Sequence, residues 1–258
     1  MLSILLASQG QLTAACWLVF AAAVFDVFDG LAARALGGGT PLGAQLDSLA
    51  DMVSFGVAPG IIAYVIVVDL HLNQFQADLL VTYIQTSRGH LGTLLGLEGD
   101  ILTKLIRISI PVVIGVASCW RLAKFNLDKR QTSGFLGLPT PANALFWASI
   151  GLGLNGQANG LWDDRNDLIL RLLVSVLAYP VGALILSMLL GILMLSELPL
   201  PSLKFKHFRW SGNQVIYLLG GVGAVLVVLY GILAVPLILL LYLLSPLWGK
   251  LFPRAQDS

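Results

Sequence analysis

Apolar residues fill long, nearly unbroken blocks along the chain, separated by short clusters of Gly, Pro and charged residues. Read against the roughly 20 apolar residues that a helix needs to cross a bilayer, the blocks predict spans over Leu12–Phe28, Gly43–Val68, Ile106–Leu122, Pro141–Leu154, Leu168–Leu195, Val215–Leu233 and Ala234–Trp248. The last two are divided only around Gly231 and Pro236, which fits either a tight hairpin or one long kinked helix. The stretch from Met1 to Ala7 is too short to span and carries neither a basic leader nor a small-residue cleavage site, so it does not read as a signal peptide. Asp69–Leu105 is the longest mixed segment, and its mildly apolar pieces Asp78–Ile84 and Leu91–Leu97 suit a surface cap or interfacial helix. No repeat, low-complexity tract or Pro/Ser-rich linker divides the chain. The pattern predicts an all-α polytopic transmembrane bundle of about seven to eight helices in one domain, 1–258.

Composition agrees with this reading. The 258 residues are 57% hydrophobic and 11% charged, against about 25% charged in soluble domains. A formal net charge of +1 gives no basic excess and so no sign of a nucleic-acid partner. Cys16 and Cys119 both fall in apolar blocks without paired spacing and read as packing residues. His71, His90 and His207 are scattered without ligand spacing, and no role is assigned to them.

Basic residues near helix ends are retained on the cytoplasmic side of a membrane. Under the predicted spans Arg34, Arg121, Lys124, Lys129, Arg130, Lys204, Lys206, Arg209, Lys250 and Arg254 share one side. Arg88, Lys104, Arg107, Arg165 and Arg171 fall on the other. The first side is therefore expected to be cytoplasmic, and it receives the loop after Phe28 and the segment Arg121–Thr140.

Four of the fourteen acidic residues, Asp26, Asp29, Asp47 and Asp51, lie within or at the ends of two consecutive spans. A charge near the bilayer centre costs about 2.5–3.5 kcal/mol on insertion scales, so intramembrane carboxylates point to function. Asp26 and Asp29 are spaced i,i+3, and Asp47 and Asp51 i,i+4, so each pair shares one helix face. If the loop Gly37–Pro41 folds the two helices together, the four carboxylates converge and repel unless cations lie between them. Hard oxygen donors suit Mg, Mn or Ca. Gly30, Ala33 and Gly43 would let a large polar ligand approach the helix backbones, and Arg34 adds a guanidinium suited to phosphate.

From Asp26 to Asp51 the sequence is DVFDGLAARALGGGTPLGAQLDSLAD. It matches the D-x-x-D-G-x-x-A-R-x8-G-x3-D-x3-D signature at every fixed position, and so resembles the CDP-alcohol phosphotransferase family. Within that family it is most similar to the bacterial phosphatidylserine synthases, on DSLADMVSFGVAP from Asp47 to Pro59, RLAKFN from Arg121 to Asn126 and GLPTP from Gly137 to Pro141. The resemblance extends from Gln9 to about Arg209. It implies a catalytic core at about 9–209, an additional C-terminal helical hairpin at about 213–250, and a first helix that is truncated relative to the family pattern.

The resemblance further implies that Asp26, Asp29 and Asp47 ligate a centre of two divalent ions, Mg or Mn. Asp51 would be a metal neighbour and the general base, while Gly30, Ala33, Arg34 and Gly43 line the CDP and diphosphate site. Arg121 and Asn126 are candidates for holding the serine carboxylate or a lipid phosphate. Positive-inside anchoring is the competing reading for both, and the favoured one for Lys124, Lys129 and Arg130. The implied reaction joins CDP-diacylglycerol and L-serine to give phosphatidylserine and CMP. It would take place among membrane lipids of the bacterial inner membrane, with the site facing the cytoplasm and the protein a homodimer. Two alternatives stay open: the same chemistry on glycerol 3-phosphate or inositol phosphate, and a cation transporter using the intramembrane carboxylates.

Overall fold

A computed structural model describes residues 1–35, 40–70, 101–127, 135–158, 164–200 and 214–248. In chain order the helices are α1 (Leu2–Ser8), α2 (Leu12–Ala35), α3 (Pro41–Asp51), α4 (58–70), α5 (Ile101–Leu127), α6 (Thr140–Ala158), α7 (Asp164–Leu177), α8 (Pro180–Leu195), α9 (Gln214–Tyr230) and α10 (Ala234–Trp248). A π-helical stretch, Met52–Val57, joins α3 to α4 without a break, and a 3-10 turn, Gly231–Leu233, joins α9 to α10. Two short strands, β1 (Phe135–Leu136) and β2 (Pro199–Leu200), pair antiparallel with Phe135 opposite Leu200.

Among the described residues four stretches have the length and apolar composition of a bilayer span, Leu12–Ala32, Leu42–Leu70, Ile101–Leu127 and Ile216–Pro246, the last of them folded back on itself. The helical bundle is as expected, but individual spans differ from the sequence reading. The block Leu168–Leu195 is two helices meeting at 102°. Pro180 begins α8 after an extended Tyr179, and a side chain on Gly182 would collide with the Val176 carbonyl, so the corner needs both residues. α5 starts at Ile101 rather than Ile106. Most of the predicted cap, residues 71–100, lies outside the described residues.

The second ambiguity resolves as a hairpin. Leu219 on α9 and Tyr242 on α10 share one small apolar cluster with Leu200, and a side chain on Gly223 would meet Ile238 at 3.6 Å. Such contacts are impossible along a straight 31-residue helix, so the apolar stretch Ile216–Pro246 turns back at Gly231, whose φ is +55°.

α6 occupies the centre. Ala144, Trp147, Ala148 and Ile150 are fully buried, and its neighbours include α2, the π-helical stretch, α10 and α7. A helix covered by protein on most sides need not be uniformly apolar. That explains why this helix carries Asn143, Ser149 and Asn155 and is not among the four lipid-compatible stretches. Large apolar side chains such as Phe25, Val112, Val116, Trp120, Ile185 and Ile192 instead face outward, as lipid contact requires.

The GLPTP segment closes one end of the bundle. Gly137 has φ +71°, its N–H donates to the Leu198 carbonyl at 2.9 Å, and the Leu138 N–H donates to the Leu193 carbonyl at 2.9 Å. A Cβ on Gly137 would sit 2.9 Å from the carbonyl oxygens of Leu193 and Met194 and closer still to that of Ser196. Gly137→Ala should therefore destabilise the protein by at least about 2 kcal/mol, combining left-handed backbone strain with steric overlap. Thermal unfolding in detergent, followed by tryptophan fluorescence, checks this against a control at the unobstructed Gly220.

Candidate metal and nucleotide site

α3 begins at Thr40, whose Oγ1 accepts the Gly43 N–H at 3.0 Å, with Pro41 at the first helical position. This cap sets where the helix starts, and hence where Asp47 and Asp51 fall on it. α2 arrives from the other direction and carries Asp26 and Asp29 near its end. One carboxylate oxygen from each of Asp26, Asp47 and Asp51 lies within 4.8 Å of the other two. Asp26 and Asp51 are half-buried, and Asp47 is exposed. Asp29 is exposed one turn along α2 and does not belong to this trio.

Two unit charges about 4 Å apart repel by about 1 kcal/mol in bulk water and about 4 kcal/mol at the effective dielectric typical near a protein surface. Three carboxylates in this space therefore favour a cation among them. The donor set is all oxygen and anionic, without thiolate or imidazole, which fits a hard divalent ion and not a soft one.

The orientation of the trio is set by α5, which runs antiparallel to α3 and α4 and meets them at three heights. At the bottom Gly60 abuts Pro111, since a Cβ there would lie 3.2 Å from the Pro111 backbone. In the middle Gly56 abuts Ser118 at 3.0 Å. At the top the Asn126 Nδ2 donates to Ser48 Oγ at 2.9 Å, and Ser48 Oγ donates to the Ala44 carbonyl at 3.0 Å. Ser48 lies beside Asp47, so this polar latch holds the acid-bearing turn of α3. The π-helical stretch just below Asp51 adds residues per turn and so rotates the apolar stripe of α4 relative to the acidic face above it.

The remaining candidates are distributed differently. Among the described residues a side chain on Gly30 would meet nothing within 4 Å, so packing there does not require this glycine. Gly43 is crowded only by its own cap, Thr40. The side chains of Ala33 and Arg34 lie outside the described residues. Arg121 is 8% exposed and donates through Nη1 to the carbonyls of Leu136 at 2.9 Å and Met194 at 2.8 Å. It thus ties the end of α8 to β1, an interior role that sequence reasoning did not anticipate. Lys124 pairs with Glu197 at 3.1 Å on the surface, a contact of little energetic weight.

Sequence reading missed Ser48, hidden between two aspartates, because the residue that makes it a latch is 78 positions away. It also missed Asn143 and Trp147, whose Oδ1 and Nε1 are buried without a hydrogen-bond partner among the described residues. An asparagine inside an apolar block was the available signal.

The model of the CDP-alcohol phosphatidyltransferase family matches residues 1–248. The chain belongs to that family. Among similar proteins is the CDP-diacylglycerol–serine O-phosphatidyltransferase of Helicobacter pylori, 28% identical over 221 residues, covering 85% of this chain and 73% of the relative. The archaetidylserine synthase of Methanothermobacter thermautotrophicus is 32% identical over 178 residues, 68% of this chain and 60% of the relative. A CDP-diacylglycerol–serine O-phosphatidyltransferase of Mycobacterium leprae is 48% identical over 62 residues, 24% of this chain and 21% of the relative. As a CDP-alcohol phosphatidyltransferase with four bilayer-compatible stretches, the chain is an integral membrane protein.

The latch gives this family member a testable feature. Asp47→Asn should weaken Mn binding at least about tenfold by removing a ligand charge. Asn126→Ala should weaken it by a smaller factor, because Asn126 bonds to Ser48 and not to a carboxylate, and α5 still holds the continuous α3–α4 helix at Gly56 and Gly60. Titration of free Mn by electron paramagnetic resonance measures both.

Proposed function

We propose that this protein transfers the phosphatidyl group of CDP-diacylglycerol to the hydroxyl of L-serine, giving phosphatidylserine and CMP. The observation that carries the proposal is the convergence of Asp26, Asp47 and Asp51 within 4.8 Å, inside a full CDP-alcohol signature. The serine-using names of the Helicobacter and Methanothermobacter relatives support the choice of acceptor.

In this reading Asp26, Asp29 and Asp47 hold the metal, two ions of Mg or Mn, with Asp51 beside them. When bound, the divalent ions neutralise the diphosphate and the departing CMP. The open backbone at Gly30 admits the diphosphate close to α2, with Ala33, Arg34 and Gly43 completing its surroundings. Asp51 accepts the proton of the serine hydroxyl as its oxygen bonds to the phosphatidyl phosphorus and the bond from that phosphorus to CMP breaks. Burial of Asp51 beside carboxylates suits a base, because it is partly shielded from water while staying next to the reacting group. Asn126 acts through Ser48 in positioning α3, and Arg121 acts by fixing the end of α8.

The site faces the cytoplasm of a bacterial inner membrane in this proposal, on the strength of Arg121 and Lys124 at the same end of α5 as the Asn126–Ser48 latch. The catalytic core is taken as about 9–209, with the hairpin at about 213–250 as an addition, and a homodimer is kept on the family resemblance alone.

Purified protein with CDP-diacylglycerol and Mn or Mg should release CMP when L-serine is supplied. Release with glycerol 3-phosphate or inositol phosphate but not serine would transfer the proposal to that acceptor, and metal flux without CMP release would support a transporter. Asp51→Asn should abolish turnover, by at least about a thousandfold, while CDP-lipid binding persists. Normal turnover in that variant would remove Asp51 from the role of base.

A further inference from the structure

On α6, Asn143 is 1% exposed and Trp147 fully buried, yet among the described residues Asn143 Oδ1 and Trp147 Nε1 have no hydrogen-bond partner. Leaving such atoms unpaired in an apolar interior is costly. The two residues are spaced i,i+4, so an acceptor and a donor lie one turn apart on one helix face. Phe146 packs edge-on against the indole at 5.4 Å, which fixes the ring.

The position of this pair follows from its neighbours. Gly151, four residues beyond Trp147 on the same face, abuts Cys16 of α2 and Ile66 of α4, where a Cβ would meet their side chains at 2.6 Å and 3.6 Å. α6 begins at the end of the bundle where Arg121 meets Leu136 and Asn126 meets Ser48, so it runs antiparallel to α2. At about 1.5 Å per residue, Cys16 to Asp26 is a climb of about 15 Å and Gly151 to Asn143 about 12 Å. Positions 16, 19, 23 and 26 keep to one face of α2. On the partner helix, Ile66, Ile62, Ala58 and Phe55 form the buried stripe that leads to Asp51. Asn143 therefore comes within about one turn of the height of Asp26, on a helix that packs against α2 and against the π-helical stretch just below Asp51.

We infer that Asn143 Oδ1 and Trp147 Nε1 are the floor of the acceptor pocket and recognise a small amino acid by its ammonium and carboxylate groups, respectively. The inference rests on the serine reading above. With the hydroxyl presented to Asp51, L-serine has two polar groups left, and they complement one acceptor and one donor. A phosphorylated alcohol would set a dianion against a carboxamide oxygen and a single indole N–H, neither of which carries positive charge.

Steady-state CMP release with L-serine and with 3-hydroxypropanoate, which lacks only the amino group, tests the inference. The wild type should strongly prefer serine. Asn143→Ala should raise the serine KM about tenfold or more and collapse that preference, with the CDP-diacylglycerol KM within about twofold of wild type. Asn143→Asp, which keeps an acceptor oxygen, should restore the preference, and Trp147→Phe should raise the serine KM while keeping the packed ring. Equilibrium dialysis of labelled L-serine against the Asp51→Asn protein holding CDP-diacylglycerol should show binding that Asn143→Ala removes. An unchanged serine KM and preference in both Asn143→Ala and Trp147→Phe, with only thermal stability lowered, would assign the two atoms to a buried water and overturn the inference alone. A wild type that uses glycerol 3-phosphate and not serine would overturn the serine reading together with it.

Discussion

Everything in this molecule depends on bringing like charges together. Asp26, Asp47 and Asp51 come from two helices joined by a short link, and their mutual repulsion opposes the helix pairing that places them. The pairing survives because it is enforced from below and from the side. Glycines at 56 and 60 let α5 pack directly on the backbone of the second acidic helix, and buried Val19, Phe55, Ala58 and Ile62 join the first to the second around α6. The carboxylates are thus held close to one another by apolar contacts that would exist without them. A divalent cation then converts a repulsive cluster into a binding site.

The acidic site was highly legible in the sequence, and the reason is local. Helical periodicity alone puts Asp26 with Asp29 and Asp47 with Asp51 on shared faces, and a short glycine-rich link constrains the two helices to be neighbours. Which three carboxylates come closest was not legible. That depends on the rotation of α3 about its axis, which the Asn126–Ser48 latch and the π-helical turn set. Arg121 illustrates the same limit. Its position near a helix end suggested an anion, whereas its guanidinium is used by two carbonyls from segments far along the chain.

Helix existence was legible and helix geometry was not. Apolar blocks show where lipid-compatible helices are, but a run such as Leu168–Leu195 has the same composition whether straight or bent by 102°. The bend belongs to Pro180 and to the absence of a side chain at Gly182, two small signals within a long apolar one. The turn at Gly231 is similar, since only a left-handed backbone there separates one long helix from a hairpin.

α6 connects these themes. Hydropathy presents it as one more span, yet it is shielded from lipid by its neighbours and so can carry polar groups at little cost in membrane insertion. A buried polar atom in such a helix still requires a partner, because the surrounding apolar side chains offer none. In the proposed reading the acidic helices supply charge and reactivity, but they cannot by themselves distinguish one alcohol from another, since every acceptor would present a hydroxyl to the same base. Discrimination must come from groups that touch the remainder of the acceptor. α6 packs against the first acidic helix and against the π-helical stretch that continues the second, and it carries neutral hydrogen-bonding atoms there. In the proposed reading chemistry and selectivity fall to different helices, so the acceptor could change by substitution on α6 while the carboxylate frame stayed intact.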